Sequence, residues 1–131
     1  MAWLSLQASI GISNVVPATA DDEIIALRSR ADLYVFPSLK EGFSLTPLEA
    51  QSYSLPCVIS DIPCHREVYG DSVMYFNPNK TTDIAESINV VLADSKLQKQ
   101  LINKGLENVK KYNWRNTALD TLKIFNEALE N

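Results

Sequence analysis

The run Leu33-Tyr34-Val35-Phe36-Pro37, followed after a short loop by Thr46-Pro47-Leu48-Glu49, most constrains what this chain can fold into. Leu33–Phe36 is a short apolar, β-prone stretch of the kind a buried strand presents. Pro37 closes it, because proline has no N–H to extend a ladder. Thr46-Pro47-Leu48-Glu49 predicts a helix start: Thr46 as N-cap, Pro47 at the first helical position and Glu49 completing a capping box. That helix is expected from Pro47 to about Tyr53. A strand, a loop and a helix N-terminus make up the place where open α/β sheets receive ligands. The N–H groups of a first helical turn lack helical partners and suit an anion such as a pyrophosphate.

The rest of the chain repeats this alternation. Pro56–Ile59 predicts a second buried strand and Val73–Phe76 a third, with a turn and short helix from Ile62 to Tyr69 that stops at Gly70. Upstream, Asp21 or Asp22 can cap a helix with Ile24, Leu27 and Ala31 on one stripe, and residues 10–16 offer an edge strand. Downstream, Thr81 or Thr82 caps a segment with Ile84, Ile88, Val91 and Leu92 at helical spacing. Ser95 with Gln98 predicts a capping box for a helix bearing Leu97, Leu101 and Val109. Asn113 predicts the cap of a last helix with Ala118, Leu122, Phe125 and Leu129 on one face. Strands alternating with helices mean an α/β fold, a Rossmann-like parallel sheet with flanking helices. Three or four strands are few for such a sheet.

Composition narrows the function. A chain of 131 residues is one domain's worth and buries about two-thirds of its unfolded surface. A net charge of −4 argues against a nucleic-acid surface, which needs clustered Lys and Arg. No apolar run approaches the ~20 residues of a membrane helix. Residues 1–20 end in a small-residue pattern, Ala18-Thr19-Ala20, that mimics a signal-peptide cleavage site. They have no basic n-region, and Gln7, Ser9 and Ser13 interrupt any apolar core, so retention in the cytoplasm is expected. Cys57 and Cys64 fit no metal spacing and read as free thiols of a reducing compartment.

The segment Glu41-Gly42-Phe43-Ser44-Leu45-Thr46-Pro47-Leu48-Glu49-Ala50 resembles the paired-glutamate motif of the glycosyltransferase group 1 family, the glycogen-synthase-like retaining glycosyltransferases. The flanking "RADLYVFPSLKEGF", "LPCVISDIPCHREVYGD" and "VMYFNP", and the late "YNWRNTALDTLKIFNEAL", extend the resemblance from about Asp21 to the C-terminus. The resemblance implies a GT-B architecture of two Rossmann-like domains across a cleft. Residues 1–131 are then the C-terminal, donor-binding domain, truncated at its N-terminal side. Two further strands and a basic pair that clamps the diphosphate would precede it, as would a separate acceptor-binding N-terminal domain.

By that resemblance the donor is a nucleoside-diphosphate sugar, with no metal and no other cofactor. Glu41 lies at the donor sugar beside the reacting carbon and is the catalytic candidate. Gly42, Phe43, Ser44, Leu45 and Thr46 bind the donor through backbone N–H groups. Glu49 hydrogen-bonds the ribose hydroxyls, a task that suits an acceptor-only carboxylate. From the residues alone, Glu49 reads first as the structural glutamate of a capping box, and Glu41 as a solvated loop charge. Two positions depart from the family pattern. Ser44 stands where glycine is usual, and a serine does not readily take positive φ; Thr46 stands where proline is usual.

His65, the only histidine, has no spaced partner for metal or catalytic work, and the resemblance implies that the "HREV" segment is structural. Tyr112 and Trp114 read as packing anchors of the last helix. The resemblance leaves the acceptor open as a glycan, a lipid or a small molecule, and leaves open a site at the inner membrane face. It also allows a non-catalytic nucleotide-sugar-binding module, one half of a split enzyme or a relic, with a missing N-terminal domain or self-association covering the last helix. A sugar-nucleotide epimerase is a further alternative, although its expected catalytic His and acidic residues are not discernible.

Overall fold

The computed structural model describes residues 21–130; the edge strand expected at 10–16 lies outside them. The described elements alternate as expected: α1 (Asp21–Arg28), β1 (Tyr34–Phe36), α2 (Leu45–Ser52), β2 (Cys57–Ser60), α3 (Pro63–Tyr69), β3 (Met74–Phe76), α4 (Thr81–Ala93), α5 (Ser95–Val109) and α6 (Trp114–Leu129). The three strands form one parallel sheet in the order β1-β2-β3, with Val35 opposite Val58 and Ile59 opposite Tyr75.

Parallel strands need crossover helices, and those helices cover both faces of the sheet. Every residue of β2 is buried, and alternation decides which layer each one joins. Cys57 and Ile59 pack with Leu48 and Ala50 of α2 and with Val68 and Tyr69 of α3. Val58 and Phe76 turn the other way, onto Ile84, Ile88 and Val91 of α4 and Leu101 of α5.

Three helix starts differ from the expected ones. Lys80, rather than Thr81 or Thr82, is the N-cap of α4, and it makes no side-chain cap. At α5 the N-cap is Asp94, whose Oδ1 accepts from the N–H groups of Lys96 and Leu97 at 2.9 and 3.0 Å. A carboxylate one residue earlier outcompetes the Ser95 hydroxyl, and Gln98 instead donates to the Val91 and Leu92 carbonyls at the end of α4. Leu92, expected on the stripe of α4, is 47% exposed: one residue past Val91, it is turned about 100° around the helix from it. The third difference, at α2, bears on the site. Asn113 caps α6 as expected, accepting from the Asn116 N–H at 2.8 Å.

Helices α2 and α5 meet through a polar contact inside an apolar core. Gln51, 1% exposed, donates to Ser72 and accepts from Asn108 Nδ2. Gly105 lets the helices approach: a Cβ there would lie 3.0 Å from Gln51 Cγ. The last helix is different. α6 has no buried residue, and Trp114, expected to anchor it, is 76% exposed.

Candidate donor site

The motif loop leaves the carboxyl end of β1 and enters α2, so its backbone lies at the edge of the sheet where ligands of α/β folds bind. The helix starts one residue earlier than Thr46. Its N-cap is Ser44, with φ 69° and ψ 78°, in the left-handed region, and no side chain caps the first turn. The expected capping box of Thr46 and Glu49 is therefore absent, and so is the expectation that a serine here avoids positive φ. Gly42, the glycine of the loop, keeps an ordinary negative φ and has open space on its Cβ side. With the Ser44 hydroxyl diverted, no cap side chain bonds the first turn; Pro47 has no N–H to bond, and the Leu48 amide meets the Tyr69 hydroxyl.

Ser44 is held by buried groups. Its hydroxyl pairs with His65 Nε2 at 3.0 Å, and its carbonyl accepts from the Tyr69 hydroxyl. His65 is wholly buried, and its Nδ1 donates to the Ser60 carbonyl at 2.7 Å. A carbonyl only accepts, so Nδ1 carries the proton and Nε2 is left to accept from the Ser44 hydroxyl. Burial pushes the Tyr69 hydroxyl well above its ordinary pKa, keeping it a neutral donor. Sequence reasoning assigned His65 no contact with the motif; its separation from Ser44 by 21 positions hid the pairing.

The two glutamates have different surroundings. Glu41 is half-buried, and its Oε1 accepts from the Ser38 hydroxyl at 2.7 Å. It lies close enough to Cys64, at the start of α3, to add to the burial and the Glu67 charge that raise that thiol's pKa. Glu49 faces α1, where its Oε2 accepts from the Arg28 guanidinium at 2.7 Å; the Glu49 side chain remains 49% exposed and Arg28 only 17%. Thr46, no longer a cap, hydrogen-bonds the Tyr34 hydroxyl and partly offsets the rise that burial imposes on it.

Two hollows flank the motif. One, of about 550 Å³, is lined by Phe43, Leu45 and Glu49 together with Tyr112, Asn113 and Trp114. The other, of about 430 Å³, lies at the carboxyl ends of all three strands, lined by Leu39, Asp61, Ile62 and the Asn77–Asn79 turn. The first thus gathers one carboxylate and two of the backbone donors expected from sequence, while Glu41, Gly42, Ser44 and Thr46 lie outside its lining. At the second, Arg66 makes a two-pronged pair with Asp61, 2.6 and 2.7 Å, and stacks on the Tyr75 ring at 3.8 Å. Among the described residues, no three His, Cys, Asp or Glu side chains gather as metal ligands.

The comparisons agree with this architecture. The sequence profile of the family described as "Glycosyl transferases group 1" matches residues 7–108. The serotype-specific mannosyltransferase WbdA of Escherichia coli is 36% identical over 110 residues, 84% of this chain and 14% of that protein. O-antigen chain mannosyltransferase B of the same species is 31% identical over 105 residues, 80% of this chain and 28% of that protein. The chain thus spans less than a third of the length of these relatives. A solved sucrose-phosphate synthase from Thermosynechococcus elongatus superposes with a TM-score of 0.82 at 21% identity, covering 98% of this chain and 34% of that one. At that identity the likeness speaks for a shared fold. The profile match covers most of the sequence: the chain belongs to the glycosyl transferases group 1 family.

Proposed function

We propose that this chain is the donor-binding part of a retaining glycosyltransferase, taking a nucleoside-diphosphate sugar. The observation that carries the reading is the uncapped start of α2, reached through a left-handed turn at the carboxyl end of β1 and flanked by Glu41 and Glu49. Backbone N–H groups from Gly42 to Thr46 take the phosphate oxygens, helped by the positive end of the α2 dipole. Glu49 accepts from the ribose hydroxyls; with Oε2 on Arg28, its other oxygen is the one that serves. Glu41, its Oε1 oriented by Ser38, sits at the sugar.

In this reading the acceptor oxygen bonds to the anomeric carbon on the face that the phosphate leaves. The carbon–phosphate oxygen bond breaks, the departing phosphate takes the acceptor proton, and Glu41 stabilises the positive charge that develops on the sugar ring. Neither a protein nucleophile nor a metal ion enters the scheme. The names of the relatives make a mannosyl donor the first to test. The acceptor would be a glycan, a lipid or a small molecule held by a second domain. Because positioning two reactants together contributes roughly 7–11 kcal/mol to a rate, transfer by residues 1–131 alone should be negligible.

The test is a titration of GDP, UDP and ADP followed by backbone NMR, with a parallel incubation of labelled mannosyl nucleotides and acceptors, each with and without EDTA. The reading expects shifts centred on residues 41–49 with a Kd of about 1 mM, insensitive to EDTA, and no transfer. Shifts absent from that segment for all three nucleotides would refute it. Binding that persists in a longer, two-domain form without any turnover would favour a non-catalytic binding module.

A further inference from the structure

Ser44 occupies a backbone conformation that its Cβ disfavours, and the surrounding residues are arranged to keep it there. A residue with φ near 69° clashes with its own side chain unless it is glycine, and it persists only where neighbours over-determine it. Two bonds do so. The Ser44 hydroxyl donates to His65 Nε2, and the Ser44 carbonyl accepts from Tyr69. His65 in turn is fixed from three sides. Its Nδ1 is bonded to the Ser60 carbonyl at the end of β2, and its ring sits 5.7 Å from Phe36 and 5.8 Å, edge-on, from Tyr69. Phe36 ends β1 and Tyr69 ends α3, so the imidazole is referenced to two strands and a helix.

We infer that His65 is a positioning residue for the donor loop. Through the Ser44 hydroxyl it locks the left-handed turn that presents the Gly42–Leu45 backbone to a ligand, achieving with a buried hydrogen bond what glycine achieves through conformational freedom. The inference rests on the donor-site reading above. It explains why a serine is tolerated at a left-handed position and why the only histidine of the chain is buried with both ring nitrogens engaged. It also ties loop geometry to the end of β2, so the sheet itself sets where the amides point.

The test separates positioning from packing. His65→Asn keeps a donor near the place of Nδ1 and removes the acceptor at Nε2, cutting the bond to Ser44 while leaving the bond to Ser60. Affinity for GDP and UDP should fall about tenfold, the effect of losing one well-placed buried hydrogen bond, and the Ser44 amide coupling and Cα shift should leave their left-handed values. In a Ser44→Gly background the same His65→Asn change should cost no further affinity, because glycine holds the turn unaided, while its cost in stability persists. An equal affinity loss in both backgrounds would make His65 a packing residue and overturn the inference. Should His65→Asn not fold, His65→Gln retains an amide near the place of Nε2 and loses the Ser60 bond instead; wild-type affinity supports the lock, and a tenfold loss overturns it. If the wild-type chain binds neither nucleotide but His65→Asn still moves Ser44 out of the left-handed region, the donor-site reading fails and the lock stands.

Discussion

Replacing Glu49 with Gln separates the two roles that its position suggests. In the fold, the carboxylate serves no helix cap; its partner among the described residues is Arg28, at 2.7 Å. Exposed ion pairs contribute about 0–1 kcal/mol, and with Glu49 49% exposed this pair belongs in that range. The Gln amide oxygen can still accept from Arg28, so Glu49→Gln should lower unfolding free energy by less than about 1 kcal/mol. Ribose binding is another matter. A hydrogen bond to a charged acceptor contributes roughly 1.5–3 kcal/mol against about 1 for a neutral one. The substitution should therefore weaken nucleoside-diphosphate binding by about 0.5–2 kcal/mol, roughly two- to thirtyfold. Arg28→Gln removes the same ion pair and leaves the carboxylate, so its affinity should stay within about threefold of wild type. Backbone NMR titration with GDP and UDP, alongside urea denaturation, measures both quantities. Equal affinity in wild type and Glu49→Gln would end the ribose assignment. Equal losses in Glu49→Gln and Arg28→Gln would trace the effect to the ion pair instead.

The other predictions concern the frame around the site. Burial pushes the Cys57 thiol up to about 12, so at neutral pH the folded chain should expose only Cys64 to Ellman's reagent; the second thiol should react only after denaturation, and two fast thiols in the native chain would contradict the packing of β2. Gly105→Leu drives a side chain against Gln51, which three hydrogen bonds to Ser72 and Asn108 hold in place. Overpacking of this kind costs about 1–3 kcal/mol, readable as a lower urea midpoint, and an unchanged midpoint would show that α5 can slide away from α2. The Arg66 guanidinium, chiefly by hydrogen bonding, holds the Asp61 carboxyl below its ordinary pKa. A depressed carboxylate stabilises the fold above its unfolded pKa, and that stabilisation is lost as pH falls through the folded value; both side chains are about half exposed, so Asp61→Asn should remove no more than about 1 kcal/mol at neutral pH and nothing in acid. Amide exchange should find α6, which buries no side chain, far less protected than α2 or α5, and equal protection would mean that α6 is covered in solution.

The order of elements was legible in the sequence because it rests on local signals. Short β-prone runs such as Val73–Phe76 and the Gly70 stop place strands and helix ends without reference to distant residues, and Gly70 does take a positive φ of 52°. Parallel pairing follows from alternation with helices. The motif drew attention to Glu41, Glu49 and the loop between them for the same reason: its residues are contiguous. What local signals could not resolve was competition. Thr46, Thr81 and Ser95 are all plausible caps by residue type, yet Ser44, Lys80 and Asp94 hold the N-cap positions, because where a helix starts depends on how the preceding loop leaves the sheet. The apolar stripe of α6 is likewise a local fact, whereas its exposure, with Trp114 in solvent, is a tertiary one.

By itself the sequence determined an α/β sheet with a glycine-bearing turn before a helix, and two carboxylates placed around that turn. Only the tertiary structure decided how the turn is held. Arg28 reaches Glu49, and His65 reaches Ser44, across 21 positions in each case, and Ser60 and Tyr69 complete the lock on Ser44. A left-handed serine is locally unfavourable, so no propensity argument predicts it. It becomes the stable conformation because burial in the packed α/β layers makes an unpaired imidazole nitrogen or tyrosine hydroxyl more costly than a strained φ.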